Sequence, residues 1–225
     1  MPVSIWADSI SRYDPSDDCH ITRVLHCKCR TDKEHEFLVV RAIHNESRAA
    51  VILATDRSPK LVDEGSSGRK LDGIAIASSS VVQAFDRVIL SYDGKQHSVI
   101  HHFPSYDILC TLHYDPSLAS PTLLQLSVIL DVISKHTPEY SLYESQCYWF
   151  AGAAWDALEC LFPTRKEKKS SKASSYLGLH IPREDQTPTI VEQYTARWEI
   201  VEQRATELER GRAQREREVR SCSKV

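Results

Sequence analysis

The stretch from Tyr140 to Leu158 reads YSLYESQCYWFAGAAWDAL. Within and just beyond it, Cys147, Ala151, Ala154, Leu158 and Leu161 recur at steps of four and three. That spacing lays them along one face of an α-helix, with the cysteine on the inner face of the first turn. A thiol there meets backbone N–H groups that lack helical acceptors, together with the positive end of the helix dipole, and both favour thiolate. The position equally suits a small buried residue where a larger one would not fit, a common use of free cysteine.

Upstream, Ser120 and Pro121 open a second helix by a cap followed by proline in the first turn, running to about Lys135. Leu123, Leu124, Leu126, Val128, Ile129, Leu130, Val132 and Ile133 make it apolar on nearly every side, so it is expected to be buried. Before it the period changes. Ile21–Cys29 alternates as a strand, and Phe37–Ile43 is apolar enough for a central strand buried on both faces. Ala49–Ala54 returns after a polar turn, forming an antiparallel hairpin with His35 at its entrance. Arg57–Gly73 is polar and aperiodic, which predicts an exposed loop, and Ile74–Ala77 a short strand. Val81–Phe85 reads as a helical turn or as an extension of the strand after it. Arg87–Tyr92 and His97–His102 flank Asp93-Gly94 as a hairpin, and Ile108–Tyr114 adds a further strand. The fold class is therefore α+β: a small antiparallel sheet packed on two helices.

In domain terms, residues 1–20 read as an irregular lead-in and 21–163 as the folded domain. Residues 164–187 include the basic, serine-rich run Arg165–Ser175, which suits a solvated linker better than a nuclear-import or phosphate-contacting patch. Residues 188–225 begin with Val191, Tyr194, Trp198, Val201, Ala205 and Leu208 at heptad spacing, then pass into the charged run Arg210–Arg220. That pattern predicts a helix that docks by its first turns and is solvated beyond them. Residues 188–210 are also the place where a protein partner or a second copy of the chain would attach.

With 225 residues, 41% hydrophobic and 26% charged, the chain has an ordinary globular composition, and its net charge of −3 offers no bulk attraction to nucleic acid or an anionic membrane. The opening MPVSIWADSI has no secretory pattern, and no run reaches the length of a transmembrane helix. The cysteines at 19, 27, 29, 110, 147, 160 and 222 are odd in number and scattered, so reduced thiols in a cytosolic or nuclear protein are expected. Cys27 and Cys29 share one side of a strand, but no second pair completes a zinc site; neither metal nor cofactor is expected. His97, His101, His102, His113 and His136 do not assemble a rival site, and serine-hydrolase elbow, phosphate loop and zincin helix are all missing.

A histidine opening a hairpin strand, followed about 110 residues later by a cysteine opening a helix, resembles the circularly permuted papain-like fold. The resemblance is to the branch of lecithin–retinol acyltransferase and its phospholipase/acyltransferase relatives, over roughly residues 20 to 162. The matching residues are His35-Glu-Phe-Leu-Val-Val and Tyr140-Ser-Leu leading to Gln146-Cys147-Tyr148-Trp149-Phe150. The chain is also similar to uncharacterised fungal proteins with a Cys-Tyr-Trp-Phe motif. The resemblance implies a thiol-dependent hydrolase or acyltransferase acting on an acyl or amide substrate, with Cys147 as nucleophile, His35 as base and the Cys147 N–H at an oxyanion. It departs from the family in having Gln146 for asparagine and Tyr148-Trp149 for Glu-His after the cysteine. The third polar residue belongs on the second hairpin strand, where Asp56 is the candidate; it could orient His35 or pair with Arg57 at a turn. His35 could also be held idle by Glu34 and Glu36, and the scaffold could then serve as a catalytically inactive interaction module.

Overall fold

The computed structural model describes residues 1–12, 19–30, 34–60, 82–103, 105–115, 118–140, 146–162, 165–168, 175–176, 179–180 and 185–222. Their architecture is α+β. Strands β1 (Cys19–Cys29), β2 (Glu36–His44), β3 (Ala50–Pro59), β4 (Val82–Leu90), β5 (Tyr106–His113), β6 (Glu139–Tyr140) and β7 (Arg165–Lys168) form one sheet. Its order is β6-β4-β3-β2-β1-β5-β7, and every pairing is antiparallel. A separate hairpin joins β8 (Ser175–Tyr176) to β9 (Leu179–His180).

Alternation along β2 decides what each face carries. Leu38, Val40 and Ala42 point into the main core, with Leu53 of β3, Leu109 and Leu112 of β5, and the helices α1 (Val3–Ile10), α3 (Leu123–His136), α4 (Cys147–Leu161) and α5 (Thr187–Cys222). Phe37 and Val39 point the other way, into a smaller cluster with Leu25, Cys27, Cys29, Ile52 and Ala54. Val99 of α2 (His97–Ile100) and Phe103 cover it. β2 is thus buried on both faces from Glu36 to Val40, as the apolar start of its run suggests, and α4 lies across β2 and β3.

Several elements differ from the sequence reading, each for a physical reason. The lead-in is not irregular throughout: Val3 and Trp6, three apart, bury themselves and make Val3–Ile10 a helix against α3. The Met1 ammonium donates to the Val88 carbonyl at 2.7 Å, so the chain start covers part of β4. The cap of α3 is Thr122 rather than Ser120; its Oγ1 accepts from the Gln125 N–H at 3.1 Å while the Gln125 side chain accepts the Thr122 N–H at 2.9 Å. β3 continues to Pro59, so Arg57 is a fully buried strand residue and not part of an exposed loop. Residues 61–81, including the expected Ile74–Ala77 strand, lie outside the described residues. His97–Ile100 is a helical turn instead of a strand: Asp93 accepts from the Lys95 N–H and from the Ser91 and Ser98 hydroxyls, closing a local turn that redirects the chain. The basic segment after α4 is not wholly a linker, because its start pairs with β5 as the edge strand β7. α5 docks through buried Ile190 and Tyr194 and half-buried Trp198 and Val201. Its later residues such as Leu208 are exposed. No helix among the described residues is long and apolar enough to cross a membrane.

Candidate active site

His35 sits in the connection just before β2, where its carbonyl accepts the Cys29 N–H at 2.8 Å. The preceding Glu34 has φ +57°, a left-handed conformation that side chains other than glycine adopt rarely. Its carboxylate lies 2.7 Å from Lys28 Nζ, so a buried lysine anchors the residue that presents the histidine. Glu36 turns to the opposite face, with Oε2 2.7 Å from His26 Nε2. The two glutamates flanking His35 in sequence therefore bind β1 and do not form the salt link to its ring that adjacency suggested.

The His35 ring instead stacks on Phe103, centroids 6.2 Å apart and planes within 12°, and Phe103 stacks on Phe37 at 3.8 Å. This apolar wall leaves the ring edges as its polar contacts. Nε2 lies 2.8 Å from Asp56 Oδ2. Asp56 is not at a turn and does not pair with Arg57; it lies within β3, 1% exposed, and receives Arg87 Nε at 2.6 Å and Nη2 at 3.0 Å. Burial alone would raise the Asp56 carboxyl, but the hydrogen bonds from His35 and Arg87 outweigh it and hold the group below the usual carboxylate range. An ionised carboxylate only accepts, so Nε2 carries a proton and Nδ1 is left for a second partner.

Cys147 is the other group that acts on the ring. The thiol lies close enough to the His35 ring to act on its protonation. Burial acts to lower the His35 pKa, but the bonds to Asp56 and Cys147 and their negative charge push it up to about 10. Cys147 is the first residue of α4 and only 5% exposed. Gln146, in extended conformation, caps the helix through its carbonyl, which accepts the Phe150 N–H at 3.1 Å, and its side chain makes no capping bond. By position, the N–H groups of Cys147, Tyr148 and Trp149 have no acceptor within α4, because they belong to its first turn. The helix is buried from Cys147 to Trp155 on all sides, since it lies between the sheet and α3 and α5.

The structure thus brings Cys147, His35 and Asp56 into one chain of contacts. Three further residues lie at the site, and sequence reading assigned none of them a place there. Arg87 fixes Asp56, Phe103 supports the imidazole, and Tyr140 lies close enough to Cys147 that the thiol's charge, after burial, pushes its phenol up. Arg87 had a signal: the dipeptide Asp-Arg occurs at 56–57 and again at 86–87, and antiparallel pairing crosses the charges. Among the described residues no cluster of metal ligands is present. A cleft lined by Asp156, Glu159, Cys160, Asp185 and Thr187 opens at the other end of α4, roughly 13 to 20 Å along the helix from Cys147. Compared with known proteins, the chain matches no family model, no curated sequence and no solved structure.

Proposed function

We propose that this protein is a thiol-dependent hydrolase or acyltransferase of permuted papain-like architecture, working through an acyl-cysteine intermediate on an amide, thioester or ester. The observation that carries the reading is the His35 ring held between the Asp56 carboxylate and the Cys147 thiol. His35 already holds the thiol proton as a thiolate–imidazolium pair, and the sulfur attacks the acyl carbon, forming the C–S bond. The carbonyl electron pair moves onto oxygen, which the first-turn N–H groups of α4 receive. Collapse expels the leaving group, which takes the proton from the imidazolium. Water, or an acceptor alcohol or amine, then gives a proton to His35 and attacks the thioester. The acid or transferred acyl product leaves and the thiolate–imidazolium pair is restored. Asp56 keeps the ring in the Nε2–H form, so that Nδ1 faces sulfur, and supports the imidazolium once formed.

Incubation with p-nitrophenyl acetate, followed by peptide mass spectrometry, tests this. The expected product is a single acetyl group on Cys147, absent in His35→Ala. Acetylation spread over several cysteines, or unaffected by His35→Ala, would refute it.

A further inference from the structure

The repeated Asp-Arg dipeptide places charge on both sides of the sheet. The β3–β4 register sets Asp56 opposite Arg87 and Arg57 opposite Asp86. Successive strand residues point to opposite faces, so one ion pair stands on each face. On one face Arg87 holds Asp56, which holds His35. On the other, Arg57 donates from Nε to Asp86 Oδ1 at 2.6 Å and from Nη2 to Oδ2 at 2.7 Å, and Ser134 Oγ of α3 donates to Oδ2 at 2.6 Å. Arg57 is 0% exposed, and its guanidinium carbon lies 4.9 Å from the Trp149 ring and 5.2 Å from the Phe150 ring. Those two aromatics follow Cys147 in the first turn of α4.

We propose that Arg57 is a positioning residue of the thiol site: paired with Asp86 and stacked against Trp149 and Phe150, it fixes the first turn of α4 on β3 and so sets the Cys147 thiol against His35. The inference rests on the thiol reading above. Stability alone is a weak reason for such a pair, because replacing a buried ion pair with apolar residues of similar volume is often neutral or stabilising. A planar fork supplies direction: two parallel bonds lock its plane to Asp86, and ring faces settle against that plane. The Tyr140 phenol responds, after burial, to the negative charge at Cys147 and, in the opposite sense, to Arg57. Two neighbouring residues of one strand, Asp56 and Arg57, therefore govern the two halves of the thiol–imidazole pair.

The test is iodoacetamide alkylation of Cys147 from about pH 4 to 9 in wild type and in Arg57→Met with Asp86→Leu, with thermal melting alongside. The double variant is expected to melt close to wild type yet to alkylate at pH 6 about tenfold more slowly, as a thiol displaced from its imidazole would. A folded double variant whose profile overlays wild type overturns the positioning role. Should it not fold, Arg57→Lys answers the same question, since it keeps the charge and loses the fork: a slowed acid limb supports the role and an overlay refutes it. A wild-type profile without a fast limb below pH 7 sinks the thiol reading itself, which a preserved limb in the variants does not.

Discussion

Replacing Asp56 by asparagine changes one atom in a crowded set of donors, and the structure says which way the new side chain turns. Oδ1 receives Arg87 Nε at 2.6 Å, whereas Oδ2 is shared by Arg87 Nη2 at 3.0 Å and His35 Nε2 at 2.8 Å. Asparagine has one acceptor and one NH2. If the NH2 took the Oδ1 position, two donors would face each other at the shortest contact. Its oxygen therefore stays toward Arg87 Nε, and the NH2 points at His35. Arg87 Nη2 can turn to water, because the Arg87 side chain is 35% exposed. His35 must then accept at Nε2 and carry its proton at Nδ1, facing the thiol it should deprotonate. An asparagine oxygen alone would serve the histidine well; Arg87 is what denies it that role. The loss of a correctly placed general base costs roughly 10²- to 10⁴-fold in acyl transfer. Breaking a buried pair usually costs about 3–5 kcal/mol. Partial exposure of Arg87 and the retained Nε bond lower this to about 2–3 kcal/mol. At about 2–4 °C per kcal/mol for a chain of this size, the melting point falls by roughly 4–12 °C. Nitrogen-15 NMR on histidine-labelled protein reads the tautomer directly. The expected result is Nε2–H or imidazolium in wild type and Nδ1–H in Asp56→Asn; an asparagine variant that keeps the wild-type signature would refute the reasoning.

The same geometry sets three other outcomes. His35 has its pKa raised to about 10, so its contribution to stability is complete below the unfolded value near 6.5 and is lost as pH climbs through about 10. The melting-point advantage of wild type over His35→Gln should accordingly be largest near pH 6 and shrink steadily toward pH 10; an advantage that grows with pH would contradict it. Glu36→Gln removes the carboxylate 2.7 Å from His26 in a fully buried position, and should lower stability by about 3 kcal/mol in urea unfolding, against no change if the pair is idle. Ending the chain after Thr206 removes exposed residues such as Leu208 and leaves Ile190 and Tyr194 seated, so the melting point should move by less than about 2 °C; a collapse of the fold would show that the outer helix is structural.

Much of the scaffold is legible in local pattern. The apolar run at Phe37–Ile43 and the three-four spacing after Cys147 each report a buried strand and a buried helix, because side-chain period follows backbone geometry. His35, Cys147 and Asp56 are nominated by the resemblance that their order and residue types carry. What joins them cannot be read that way, since it depends on register between strands distant in sequence. Asp56 looked like the end of a short strand because apolar residues stop at Ala54, yet β3 runs on to Pro59 once β4 supplies charged partners for charged residues. Glu34 and Glu36 looked like partners of His35 by adjacency, but alternation sends Glu36 to His26 across β1 and a positive-φ turn sends Glu34 to Lys28. Asp93-Gly94 signalled a hairpin; Gly94 does take φ +68°, but Asp93 gathers Ser91, Lys95 and Ser98 around itself and starts a helical turn instead. That turn delivers Phe103 to the face of the imidazole.

On the proposed mechanism, His35 makes a thiolate of Cys147. The most direct measurement is the alkylation rate of each cysteine from about pH 4 to 9, read by site-resolved mass spectrometry, in wild type and His35→Ala. A thiolate–imidazole pair predicts that Cys147 reacts fast below pH 7 in wild type and that this acid limb disappears in the variant. A Cys147 that titrates like the other cysteines, or whose profile does not depend on His35, would contradict it.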